Sequence, residues 1–128
     1  MTAAPHRILL AEDDRFLRRA AEATLRQNGF TVLTAADGEE ALRIARTEAP
    51  DLILLDLIMP KLQGFEVLRA LKEDPATAGI PIFVLSNLGQ DKDVERARGI
   101  GAEAYFIKAN LPLQELVQRV RAALDKAR

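Results

Sequence analysis

Five short apolar runs, separated by longer amphipathic stretches, constrain this chain more than any other feature. They are Ile8-Leu9-Leu10-Ala11, Thr31-Val32-Leu33-Thr34, Leu52-Ile53-Leu54-Leu55, Ile82-Phe83-Val84-Leu85 and Ala104-Tyr105-Phe106-Ile107. Four of the five are nearly continuous rather than alternating. That is the pattern of strands covered on both faces, as in a parallel sheet.

The intervening stretches carry helical spacing. Leu17, Ala20, Ala21, Thr24 and Leu25 share one face, and Gly29 supplies a stop. Asp37 and Glu40 have capping-box spacing for a helix through about Glu48. Phe65, Leu68 and Leu71 predict a third helix, closed by Asp74-Pro75. A polar stretch from Asp91 to Arg98 predicts a fourth, ending at Gly99. Leu113, Leu116, Val117, Val120 and Leu124 define the last, opened by Pro112. The alternation predicts an α/β fold of (βα)5 type. It is a doubly wound, flavodoxin-like, five-stranded parallel sheet with helices on both faces and right-handed crossovers. In such folds ligands bind beyond the carboxyl ends of the strands.

Length and charge narrow the classes. At 128 residues the chain is expected to be one domain over 1–128, with a core of about 7–126 and no output domain. Its 18 Lys and Arg against 19 Asp and Glu leave a net charge of -1. A direct nucleic-acid binder or a polybasic membrane anchor usually carries a basic excess. The chain contains 0 Cys, which excludes disulfides, thiolate metal sites and a cysteine nucleophile. Residues 1–6 lack a signal pattern, and no apolar run approaches the ~18 residues of a membrane span. The expectation is a cytoplasmic protein without membrane contact.

The polar residues at the strand ends are the candidates for chemistry. Glu12-Asp13-Asp14 follows the first run, Asp56 ends the third, Ser86-Asn87 ends the fourth and Lys108 ends the fifth. Taken singly, an acidic run is a solvated loop or cap, Asp56 a turn residue, Ser86 uninformative and Lys108 surface. His6 reads as surface. Together they place carboxylates, a hydroxyl and an ammonium on one sheet edge. Clustered carboxylates repel, and a hard divalent cation such as Mg²⁺ relieves the repulsion through oxygen ligands. A carboxylate can also attack phosphorus to form an aspartyl phosphate. Phosphoryl transfer then needs mainly positioning and charge neutralisation, which a metal, an ammonium and a hydroxyl supply.

These residues carry a family resemblance over nearly the whole chain. The combination is an acidic pair after strand one, Asp56-x-x-Met59-Pro60-x-x-x-Gly64 after strand three, Ser86 after strand four and Lys108 after strand five. It resembles a response-regulator receiver domain of the stand-alone, chemotaxis-regulator type, phosphorylated on Asp by a sensor histidine kinase. The resemblance implies a two-component phosphoacceptor with Asp56 as nucleophile and Mg²⁺ as cofactor. Asp13 and Asp56 would bind the metal directly, Glu12 through water and Ile58 through its backbone carbonyl. Lys108 would pair with the phosphoryl group and Ser86 would hydrogen-bond it. Tyr105 falls at the aromatic switch position, while Asp14 reads as a helix cap. Movement of Ser86 would open or close space for Tyr105 to turn inward. The fourth helix, fifth strand and fifth helix would then present a changed face to a downstream protein. The implied partners are a histidine kinase or phosphotransfer protein and that target, with the chain a monomer or weak homodimer. Its own catalysis would be limited to accepting the phosphoryl group and slow autodephosphorylation, so it would not be an enzyme.

The chain also departs from the resemblance. Lys108 is followed by Ala109-Asn110 where such domains usually have Lys-Pro, and Asn87 stands where a smaller residue is usual. The Lys108–Ala109 bond is therefore expected to be trans with an altered loop, or cis and strained. Ile58 and Leu88 are expected to flank the site with apolar groups that cannot orient a hydrolytic water, which predicts slow phosphoryl turnover. The alternative function is a pseudo-receiver, a phosphorylation-independent binding module. An aspartate-nucleophile phosphatase is disfavoured because Ile58 occupies the general-acid position. A flavin protein is disfavoured because its phosphate would meet three acids.

Overall fold

The computed structural model describes residues 5–126. Its elements run β1 (Arg7–Ala11), α1 (Arg15–Gln27), β2 (Thr31–Ala35), α2 (Gly38–Glu48), β3 (Leu52–Asp56), α3 (Gly64–Glu73), β4 (Ile82–Ser86), α4 (Asp91–Ile100), β5 (Ala104–Ile107) and α5 (Leu113–Lys126). All five strands are parallel, in the order β2-β1-β3-β4-β5. The chain winds outward from β1 to β2, then crosses back to β3 and continues the other way. That reversal leaves a crevice at the carboxyl ends of β1 and β3.

Register sorts the apolar runs into two cores. Leu9, Ala11, Ile53, Leu55, Ile82 and Val84 meet Ala41, Ala45, Phe65, Leu68 and Ala97 of α2, α3 and α4. Ile8, Leu10, Leu52, Leu54, Phe83 and Leu85 meet Ala21, Leu25, Leu116, Val120 and Leu124 of α1 and α5. Every residue of β3 is buried, so its run shows no polar alternation before Asp56. Each fully buried Leu there contributes about 1.5–3 kcal/mol relative to exposure.

Helix ends follow local chemistry, with three departures from the sequence reading. Ala20 points to solvent, so the buried stripe of α1 is Ala21 and Leu25. α4 passes through Gly99 and stops at Gly101, whose φ of 132° is left-handed. At α2, Asp37 accepts from the Glu40 amide, but the Glu40 carboxylate reaches back to the Ala36 amide rather than to Asp37. The Pro112 carbonyl accepts from the Leu116 amide at the start of α5, as the reading from Pro112 anticipates.

The β3–α3 connection is fastened at two points. The Gly64 amide donates to the Leu57 carbonyl and the Gly38 amide to the Pro60 carbonyl. Between them Lys61 takes a left-handed φ of 70°, and its ammonium lies 3.5 Å from Asp37. Among the described residues no peptide bond is cis. Lys108–Ala109 is therefore trans and forms part of a 3-10 turn over Lys108–Asn110. Among the described residues no helix is long and apolar enough to cross a membrane.

Candidate functional site

Strand parity decides which strand-end side chains meet. Glu12 follows Ile8 and Leu10, Asp56 follows Leu52 and Leu54, and Lys108 follows Ala104 and Phe106. All three therefore continue the face covered by α1 and α5. The Lys108 ammonium lies 2.5 Å from Glu12 Oε1 and 2.8 Å from Asp56 Oδ2. The remaining oxygens are held too. Glu12 Oε2 accepts from the Asp14 amide at 3.0 Å, and Asp56 Oδ1 from the Ile58 amide at 3.1 Å. Glu12 and Asp56 are 3% and 5% exposed, whereas Asp13 is open to solvent.

Carboxylate oxygens of Glu12, Asp13 and Asp56 lie within 4.8 Å of one another. With Lys108 as the cation between two of them, the fully ionised cluster keeps a formal excess of two negative charges. The strain shows at Glu12. Burial pushes its pKa from 4.5 up to about 7, against the opposing hydrogen bond from Lys108. Burial draws the Lys108 ammonium down, but its hydrogen bonds to Asp56 and Glu12 outweigh this and leave it raised. An oxygen-only donor set with excess negative charge and one exposed carboxylate fits a hard divalent ion such as Mg²⁺.

Ser86 stands apart from this cluster. It follows Ile82 and Val84, so it points to the face covered by α2, α3 and α4, and it is fully buried. Its hydroxyl accepts from the Leu88 amide at 3.1 Å. The residue of that loop that lines the acidic crevice is Asn87, together with Ile58. Leu88 packs instead on the α2/α3/α4 core, which corrects its expected place beside Asp56. Tyr105 packs on the same core, and its hydroxyl donates to the Leu88 carbonyl at 2.5 Å. Burial raises the phenol pKa, partly offset by its hydrogen bond with Ser86. Phe106 points the other way and meets Phe83 edge-on.

Asp14 is the N-cap of α1, accepting from the Phe16 and Leu17 amides. His6 is half-buried rather than surface. It sits 3.7 Å from Asp51, at the start of the sheet and remote from the site. Two features escaped the sequence reading. Arg18 reaches back from α1 to the Glu12 and Asp13 carbonyls; no motif marks it. Phe16 is 85% exposed. Phe16 lies off the Leu17–Ala21–Leu25 stripe, a signal that the helical spacing already carries.

Known proteins resemble this chain in sequence and in shape. Residues 8–121 match the response regulator receiver domain family. A probable transcriptional regulator, ycf27 of Cyanophora paradoxa, is 41% identical over 120 residues, which are 94% of this chain and 48% of that protein. The chain spans about half the length or less of the curated relatives it matches. The Francisella response regulator 1452 receiver domain superposes with a TM-score of 0.90 at 27% identity, covering 96% of this chain and 99% of that one. The Borrelia burgdorferi CheX–CheY complex with BeF3 and Mg²⁺ gives 0.85 at 28% identity, covering 93% and 89%. A five-stranded parallel fold, an acidic cluster at its carboxyl edge and a match over residues 8–121 agree: the chain belongs to the response regulator receiver domain family.

Proposed function

We propose that this domain is a two-component phosphoacceptor, taking a phosphoryl group on Asp56 from a histidine kinase or phosphotransfer protein. The observation that carries the reading is the Lys108 ammonium set between Asp56 and Glu12, with the Asp13 carboxylate within 4.8 Å. An Asp56 carboxylate oxygen attacks phosphorus and forms a P–O bond. The P–N bond of the phosphohistidine breaks, and the imidazole leaves with its electron pair. Asp13 and Asp56 would hold Mg²⁺, with Glu12 acting through water and Ile58 through its carbonyl. Bound there, Mg²⁺ supplies charge neutralisation for the crevice and the phosphoryl oxygens. Lys108 follows the developing charge. Exposed Ile58, which lines the crevice, offers an apolar contact to the donor protein.

Switching would pass through Ser86. Its side chain points to the sheet face opposite that of Asp56, so reaching a phosphoryl oxygen requires the end of β4 and the β4–α4 loop to shift. Tyr105, which donates to the Leu88 carbonyl, registers that shift on the α4/β5/α5 face, where a downstream protein would bind. The domain acts in the cytoplasm as a monomer or weak homodimer and is not an enzyme in its own right.

The test is acetyl phosphate with Mg²⁺, read by intact mass. One added phosphate, lost in Asp56→Ala and without Mg²⁺, supports this function. No addition to the wild-type chain would indicate a phosphorylation-independent binding module.

A further inference from the structure

We propose that Arg18 is a positioning residue for the metal site, aiming the Asp13 carboxylate by pinning the backbone on both sides of it. The inference rests on reading Asp13 as a metal ligand. β1 ends at Ala11, and Glu12 extends the ladder only through its amide, which donates to the Ala35 carbonyl. The Glu12 and Asp13 carbonyls thus lie past the sheet, one of them on a residue 3% exposed. Buried carbonyls need partners. Arg18 Nη1 donates to the Glu12 carbonyl at 2.8 Å and to the Asp13 carbonyl at 3.3 Å.

The consequence is conformational. The Glu12 carbonyl belongs to the peptide plane before the Asp13 Cα, and the Asp13 carbonyl to the plane after it. The second plane is held again by its own amide, because Asp14 N–H donates to Glu12 Oε2 at 3.0 Å. With both planes held, Asp13 φ and ψ are set, and with them the direction of its Cβ. The Cα–Cβ bond of this exposed, crevice-lining residue is thereby held in place, leaving its carboxylate only the side-chain torsions to turn about. Arg18 is itself placed by α1. Its amide donates to the Asp14 carbonyl, one turn beyond the Asp14 cap.

Charge and position predict opposite signs. As a bare cation near a cation site, Arg18 repels Mg²⁺, so its removal would tighten binding. As a positioning group, its removal loosens the ligand and weakens binding, on the order of tenfold or more. The experiment is calorimetric titration of Mg²⁺ into wild type, Arg18→Ala, Arg18→Lys and Arg19→Ala, with metal-free thermal unfolding of each. The expected result is a Mg²⁺ Kd about tenfold weaker in Arg18→Ala. Arg18→Lys, which keeps the charge but not the planar fork, should be restored in part, and exposed Arg19→Ala unchanged. An Arg18→Ala Kd equal to or tighter than wild type overturns the proposal, even if the melting temperature falls. A loss shared equally by Arg19→Ala also overturns it. Should Arg18→Ala fail to fold, Arg18→Lys decides: weakened binding supports the proposal and wild-type affinity overturns it. No Mg²⁺ binding by the wild type would instead remove the metal-site reading on which the proposal stands.

Discussion

The Lys108 ammonium lies 2.5 Å from a carboxylate oxygen of Glu12, yet burial still leaves that acid with a pKa raised from 4.5 to about 7. Folded Glu12 therefore holds its proton more tightly than it does in the unfolded chain. Its contribution to stability is complete below pH 4.5 and is lost as pH rises through about 7. The metal-free protein should lose stability across that window, and Glu12→Gln should flatten this part of the profile in chemical denaturation. Metal binding runs the other way, since Mg²⁺ must displace the proton. Below about pH 7 the Mg²⁺ Kd should weaken by up to roughly tenfold per pH unit for one displaced proton. A Kd equal at about pH 6 and about pH 8 would contradict the assignment.

Much of this site was legible because strand runs and their terminal polar residues sit side by side in the chain. The five runs, the Asp14 cap and the assembly of Glu12, Asp13, Asp56 and Lys108 all follow from local pattern plus the rule that sites lie at carboxyl ends. Facing was not legible. Asp56 and Ser86 both end a continuous apolar run, but pairing sets Asp56 opposite Leu85 and Ser86 opposite Ile107, which turns them to opposite faces. An alternating strand would have declared its face, whereas runs buried on both sides do not. The α4 stop was misplaced for a similar reason. Gly99 and Gly101 read alike as letters, and only packing and φ distinguish them. Arg18 escaped because its partners are backbone carbonyls, which leave no trace in side-chain spacing.

Tyr105→Phe removes one donor and little volume. The Leu88 carbonyl loses its 2.5 Å partner, while the Leu88 amide keeps its bond to Ser86. The expected cost is about 1 kcal/mol. Amide hydrogen exchange should speed up at residues 87–90 and stay unchanged in β1 and β3. Unaltered exchange in that loop would show that the phenol does not tether it.

Phosphoryl lifetime should depend on Ile58 and not on Leu88. Ile58 is 57% exposed and lines the crevice with Asp56. Its alkyl group cannot orient an attacking water. Ile58→Gln introduces donors and an acceptor there and should shorten the aspartyl-phosphate half-life roughly tenfold, about 1.4 kcal/mol of barrier. Leu88→Ala removes a core contact and should lower stability with little change in lifetime. Loss of phosphate followed by intact mass in Mg²⁺ buffer separates the two. A half-life shortened by Leu88→Ala and not by Ile58→Gln would reverse the assignment.

Two glycines should be irreplaceable and a third should not. A Cβ on Gly64 would lie 2.3 Å from the Leu57 Cα, and one on Gly38 would lie 2.2 Å from the Leu62 carbonyl oxygen. Both obstacles are backbone, so a rotamer change cannot relieve either. The strain falls on the loop that carries Ile58 out of Asp56. Gly64→Ala and Gly38→Ala should each cost about 1–3 kcal/mol, and Gly64→Ala should also weaken Mg²⁺ binding by moving the Ile58 carbonyl. Gly99 sits inside α4, where an added methyl would meet nothing within 4 Å. Gly99→Ala should stabilise by about 0.5–1 kcal/mol, because alanine loses less backbone entropy in a helix. Urea unfolding of the three variants tests the contrast. A neutral Gly64→Ala would mean that the β3–α3 loop yields without consequence.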